Sequence, residues 1–183
     1  MTPNLVIQTL DRIWTELESR GVVATLVGGL ALPIWNYPRS TQDIDLLLAV
    51  DDDQQLLSIC EALDCRPKRQ PAIVELGSVR VLQAEYSPPG EYVEIDVDFL
   101  IGQSEFLQSL SSRNIAIDFA GLENRIRVAT CEDLILLKMQ AGRLIDLADC
   151  QRLIELNPDL DRVYLELWAG KLNLTSELDK LEY

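Results

Sequence analysis

Residues 42–50 read QDIDLLLAV and residues 92–101 read YVEIDVDFLI. Both set carboxylates two residues apart along a β-branched and aliphatic run. In a strand, residues i and i+2 project from one face. Asp43 and Asp45 therefore stand side by side, as do Glu94, Asp96 and Asp98, with apolar groups on the opposite face. The first segment continues as an apolar run, which predicts a strand entering a core. Paired anions at the start of a buried strand repel each other, and burial adds a desolvation cost. A fold tolerates this where a divalent cation compensates, and carboxylate oxygens suit Mg²⁺ or Mn²⁺. If the two strands are neighbours, up to five carboxylates converge, a charge that calls for about two metal ions. The competing reading of an alternating acid/apolar strand is an edge strand with one solvated face.

Composition narrows the chemistry. The 183 residues include no histidine. That excludes Ser-His-Asp and Cys-His triads, imidazole metal sites and histidine acid–base chemistry. Any metal must sit on carboxylates, carbonyls or thiolates. Cys60, Cys65, Cys131 and Cys150 fit no zinc spacing and read as reduced thiols of a cytoplasmic protein. Sixteen Lys and Arg against thirty Asp and Glu give a net charge of −14, which opposes diffuse binding to a phosphate backbone. Arg66, Lys68 and Arg69 are the one dense basic cluster and the best candidate for contact with an RNA or phosphate substrate. The start, MTPNLVIQTLDRIW, turns polar and acidic too early for a signal peptide. No apolar run approaches the roughly 20 residues of a membrane span. No membrane partner is expected.

The remaining pattern predicts a mixed α/β (α+β) fold. Thr2-Pro3 reads as the start of an amphipathic helix with Val6, Leu10, Ile13, Trp14 and Leu17 on one face, stopped by Gly21. Val22–Val27 is a buried strand, and LALPIW a short helix broken near Pro33. Asp51–Asp53 cap a helix burying Leu56, Ile59, Cys60 and Leu63. CRPKRQP is a basic loop. Segments 72–76 and 79–84 form a hairpin around Gly77-Ser78. A helix near 104–110 and strands near 115–119 and 125–129 follow. Thr130 and Asp133 open a helix as a capping box, and helices at 144–156, 160–169 and 175–181 complete the chain. Strands thus cluster in 1–129, the expected core domain, and helices in 130–183, the expected helical C-terminal subdomain packed on it.

Three further features bear on chemistry. Leu26-Val27-Gly28-Gly29-Leu30 is a strand ending in two glycines before a helix, a turn that can offer backbone N–H groups to a phosphate. It is neither a Walker A loop nor a dinucleotide fingerprint. Lys138 interrupts the apolar helix LILLKMQAGR, either as a snorkelling surface lysine or as a cation for phosphate charge. Asp146 and Asp149 share a helix face and are placed to hold Lys138 or Arg143. Arg39 precedes Asp43 by four residues, within reach of the same ligand.

Val27-Gly28-Gly29-Leu30-Ala31, followed by Arg39-Ser40-Thr41-Gln42-Asp43-Ile44-Asp45, resembles the signature of minimal nucleotidyltransferases of the polymerase-beta-like superfamily. Glu132 to Lys138, Ala141-Gly142-Arg143 and Asp146 to Asp149 are similar to the helical segment of its AbiEii-like branch, some members of which are toxins of toxin–antitoxin or phage-defence pairs. The matching stretches span roughly 22–156. The resemblance implies a mixed sheet backed by helices, and NTP-dependent transfer of an NMP to a hydroxyl on RNA such as tRNA, a protein or a small molecule. It implies that Gly28 and Gly29 bind the triphosphate, that Asp43 and Asp45 hold Mg²⁺ or Mn²⁺, and that Asp98 or Asp96 is the third acid. Asp98 is preferred, because Val97-Asp98-Phe99-Leu100 is closer to the family's strand pattern. Lys138 would touch the triphosphate and Asp146 would support it. An antitoxin partner would accompany a toxin role. Many members carry Gly-Ser where this chain has Gly28-Gly29. The alternative is a catalytically inactive member serving as a binding or regulatory protein.

Overall fold

Eight strands form one mixed sheet in the order β3-β5-β6-β2-β1-β8-β7, with β4 also paired to β5. The computed structural model describes residues 4–50, 52–76 and 79–181. The strands are β1 (Val23–Val27), β2 (Asp43–Ala49), β3 (Cys65–Pro67), β4 (Ile73–Leu76), β5 (Val79–Tyr86), β6 (Ile95–Ile101), β7 (Ile115–Ile117) and β8 (Ile126–Val128). The helices are α1 (Leu5–Ser19), α2 (Gly28–Ala31), α3 (Asp53–Ala62), α4 (Glu105–Arg113), α5 (Cys131–Ala141), α6 (Leu144–Leu156), α7 (Arg162–Lys171) and α8 (Thr175–Leu178), with a 3₁₀ turn at Leu32–Trp35. This is the mixed α/β architecture that the alternation pattern predicts.

The centre of the sheet positions the site. β2 and β6 are parallel neighbours in a register that sets Asp43 beside Asp96 and Asp45 beside Asp98. β1 runs antiparallel to β2, and Val27 pairs with Asp45. The glycine pair that follows Val27 therefore turns over the acidic end of β2. On the opposite face Ile44, Leu46, Val97 and Phe99 are fully buried. α1 buries Leu10, Ile13, Trp14 and Leu17 and lies against β1 and β2. Burying each such side chain contributes about 1.5–3 kcal/mol, so the apolar half of each strand supports its acidic half.

The helix α1 is capped by Asn4, whose side chain accepts from the Val6 amide; the Thr2-Pro3 start lies outside the described residues. Thr130 caps α5 and accepts from the Asp133 amide, as predicted, while the return bond runs from its hydroxyl to the Asp133 carboxylate and not from its backbone N–H, as a full capping box would have it. α5 is buried nearly all round, against α6 and α7. β6 begins at Ile95, three residues later than the pattern suggests. Tyr92, Val93 and Glu94 precede it and are exposed. The basic loop begins as a strand, because Cys65, Arg66 and Pro67 pair with Tyr86, Glu85 and Ala84. The Gly77-Ser78 turn and Asp51 lie outside the described residues. All four cysteines are free and buried. Among the described residues no helix is long and apolar enough to cross a membrane.

Candidate active site

A cleft of about 710 Å³ opens over the central strands, and most of the predicted site residues line it: Gly28, Gly29, Arg39, Asp43, Asp45, Asp98, Lys138 and Asp146. Three walls can be told apart. The sheet supplies carboxylates from β2 and β6. The β1–α2 corner supplies the glycines. α5 and α6 supply cations with their own counter-ions.

The acid wall is electrostatically loaded. Burial, reinforced by the charges of Asp98 and Asp43, pushes Asp45 up to about 6, against relief from the Gly29 amide and Lys138. Burial also raises Asp98, with Asp96 and Asp43 adding to the effect, although a hydrogen bond from Gln83 opposes it. Gln83 Nε2 donates to Asp98 Oδ2 at 3.1 Å. Asp96 lies on the same sheet face but does not line the cleft. Lys68 Nζ donates to it at 2.8 Å, on the side toward β5 and β3. Glu94 likewise is held at 2.7 Å by Arg66, which also binds Glu85 at 2.7 Å. The five converging acids of the sequence reading thus separate into three that line the cleft and two neutralised beside it. Arg66 and Lys68 are spent on these contacts, which removes most of the free positive charge expected of 66–69.

The glycine corner is packed against the acids. Gly28 has φ +64°, and a Cβ there would fall 1.9 Å from Asp45 Oδ2. A Cβ on Gly29 would fall 2.7 Å from Thr41 Oγ1. Only glycine fits at Gly28, for both backbone and space. The Gly29 amide donates to Asp45 in this arrangement.

The basic wall is a buried ion network. Lys138 is 7% exposed, so it is no snorkelling residue. Its Nζ donates to Asp149 Oδ2 at 2.7 Å and lies 3.5 Å from Asp146 Oδ1. Arg143 grips Asp146 with two bonds, at 2.6 and 3.1 Å. Burial works to raise Asp146, but the hydrogen bonds and charges of Arg143 and Lys138 outweigh it and hold the carboxyl below its ordinary value. Asp146, and beyond it Asp45 and Asp43, keep Arg143 more firmly protonated than usual. Arg39 Nε lies 3.5 Å from Asp149 Oδ1, yet neither atom closes a hydrogen bond. Burial and the Asp149 carboxylate raise the Tyr37 phenol. Asp149 thus holds two cations of the cleft, whereas the sequence shows it only as a helix-face partner. Gln83 had one signal, an uncharged polar residue inside the run VRVLQAEY.

Among the described residues no group of three or more carboxylates or thiols is already drawn together as a metal cage. The donor chemistry nevertheless fits a hard divalent cation. Asp43, Asp45 and Asp98 offer only oxygens, and their mutual repulsion is what such a cation relieves.

A parallel–antiparallel sheet with paired strand acids, a glycine corner and a cation-bearing helix defines a protein of nucleotidyltransferase fold. The chain belongs to the family described as nucleotidyltransferase of unknown function (DUF6036), which matches residues 6–167. Among solved structures, the antibiotic-resistance factor ANT(2'')-Ia is similar at TM-score 0.59 and 16% identity, over 96% of this chain and 94% of that one. The lincomycin-bound lincosamide adenylyltransferase LnuA is similar at 0.50 and 14%, over 81% and 96%. A candidate nucleotidyltransferase of Thermotoga maritima is similar at 0.55 and 16%, over 85% and 96%. These likenesses concern the fold. No curated protein matches the chain.

Proposed function

We propose that the protein transfers a nucleoside monophosphate from an NTP to a hydroxyl acceptor. The observation that carries this reading is the meeting of Asp43, Asp45 and Asp98 with the Gly28-Gly29 corner and the cations Arg39, Lys138 and Arg143 in one cleft. Family membership and fold support the class of reaction. Asp43, Asp45 and Asp98 would hold Mg²⁺ or Mn²⁺, which when bound lowers the pKa of an attacking hydroxyl and neutralises triphosphate charge.

The chain's own residues account for the rest. The glycine corner binds the triphosphate through backbone amides, the Gly29 N–H turning from Asp45 to the phosphate. Arg39 and Arg143 lie at the rim, where phosphate oxygens compete with Asp149 and Asp146 for them. Lys138 stays anchored and adds positive potential. Gln83 aims Asp98, and a carboxylate of this row takes the acceptor proton. The acceptor oxygen bonds to the α-phosphorus, the α–β bridging P–O bond breaks, and pyrophosphate departs with the electron pair. Phosphoryl chemistry of this kind rests on positioning and charge neutralisation and needs no histidine.

The AbiEii-like branch, and with it a toxin role beside an antitoxin, rests on the similarity of the stretches Glu132 to Lys138, Ala141 to Arg143 and Asp146 to Asp149. The test is incubation with each α-labelled NTP, Mg²⁺ or Mn²⁺, and separate pools of RNA, protein and small metabolites. Metal-dependent labelling that falls ~10²–10³-fold in Asp43→Asn is expected, as for removal of a group that stabilises transition-state charge. Labelling unaffected by that change, or none in any pool, supports the inactive, regulatory alternative.

A further inference from the structure

One end of the cleft has an unlike chemistry. Beyond Asp98, Leu100 lies on the same face, about 6.6 Å further along β6. Val81 pairs with Leu100 and Val79 follows it, both on β5. Leu137 of α5 and Leu172 and Leu174 of the α7–α8 turn also line the cleft. The turn is fixed rather than loose. The Leu172 amide donates to Trp168 O at 2.9 Å, the Leu174 amide donates to Ala169 O at 2.7 Å, and Asn173 takes φ 60° between them. Trp168 is itself packed on Phe106, with ring centroids 5.4 Å apart. Leu100, Leu137, Leu172 and Leu174 keep partly exposed apolar surface there.

The sheet order gives this compartment its place in the reaction. The glycine corner follows β1, the acids stand on β2 and β6, and the apolar end lies over β6 and β5. In phosphoryl transfer the attacking and leaving oxygens are roughly in line. With pyrophosphate leaving over the glycine corner, the attacking hydroxyl approaches from the far side of the acids, over β6 and β5. Resting on the transferase reading, we infer that the acceptor is a small uncharged hydroxyl compound with an apolar face, seated on Val81, Leu100, Leu172 and Leu174. A polynucleotide meets a net charge of −14, with Arg66 and Lys68 already bound to Glu85, Glu94 and Asp96. A polycation meets mainly valine and leucine side chains here, with Asp98 the carboxylate beside them on β6.

The test offers ethanol, 1-butanol and 2-phenylethanol as acceptors, with α-labelled NTP and Mg²⁺, beside tobramycin and total RNA. We expect kcat/KM for NMP-ester formation to rise at least ~10-fold from ethanol to 2-phenylethanol, as one apolar pocket discriminates by size. Leu100→Asn and Leu174→Asn, each checked for cooperative melting, flatten that gradient. Equal kcat/KM along the series, or transfer confined to tobramycin or RNA, overturns the inference and leaves the transferase reading standing. Methyl NMR with 2-phenylethanol alone, free of NTP and metal, gives the second readout. Shifts centred on Leu100, Leu172 and Leu174 support the compartment, and their absence overturns it. No NTP consumption with any acceptor sinks the transferase reading itself, a result the methyl shifts do not depend on.

Discussion

At Asp45 three unfavourable influences fall on one carboxylate: burial, the charge of Asp98 and the charge of Asp43. Its pKa is about 6 in the fold against 3.8 in the open chain. Between these values the folded state binds more protons than the unfolded one, so Asp45 lowers stability progressively as pH rises from about 4 to about 6. Asp45→Asn is therefore expected to melt at a temperature that gains on the parent protein across that window, with Mg²⁺ removed. An equal difference at pH 4 and pH 7 contradicts this. Gly28 is the neighbouring constraint. Gly28→Ala faces both a positive φ and the Asp45 carboxylate, whereas Gly21→Ala faces only the φ, with nothing within 4 Å. Both should lose about 1 kcal/mol or more from backbone strain, with a larger loss for Gly28→Ala and transfer activity abolished only there. Calorimetry and the labelling assay check this. The Asp43–Asp45 pair and the two glycines were legible in the sequence because period-2 spacing and a Gly-Gly strand end are local signals. Gln83 was not, because its meaning depends on β5 lying beside β6.

Among the elements, β2 forms close to its predicted bounds and β6 forms from Ile95 on, three residues later than predicted, since each has an apolar face to bury over that length. β3 was hidden, because three residues with an arginine and a proline carry no alternation; it exists by pairing with β5. The choice between Asp96 and Asp98 also lay beyond one-strand reasoning. Both sit on one face, and only Lys68 on one side and Gln83 on the other separate them. α5 shows how an element can be read correctly while its key side chain stays ambiguous. The capping box was plain at Thr130, yet whether Lys138 reached solvent or the interior depended on α6 supplying Asp146 and Asp149. That burial makes a stability prediction. Lys138→Met takes from the buried Asp149 its 2.7 Å ion-pair partner, leaving Arg39 at 3.5 Å and the Tyr37 hydroxyl, and is expected to cost about 3–5 kcal/mol. The double change Lys138→Met with Asp149→Asn should recover much of that in urea denaturation. If the double variant is as unstable as the sum of the single ones, the two residues do not act as a pair.

For the whole molecule, the excess of acid is distributed with purpose. Part is neutralised within the fold, as at Glu85, Glu94 and Asp96. Asp146 and Asp149 set the cations of one wall, and Asp43, Asp45 and Asp98 face the cleft. A cleft with acids on one side and cations on the other suits a charged phosphate chain carried with a divalent ion. The measurement that bears most directly on this is amide NMR of the full chain during titration with Mn²⁺ and a non-hydrolysable NTP analogue. Paramagnetic broadening is predicted to begin at Gly28, Gly29, Asp43, Asp45 and Asp98, and to vanish with Asp43→Asn plus Asp45→Asn. Broadening spread evenly over the acidic surface, or unchanged in the double variant, would contradict a metal–nucleotide site in this cleft.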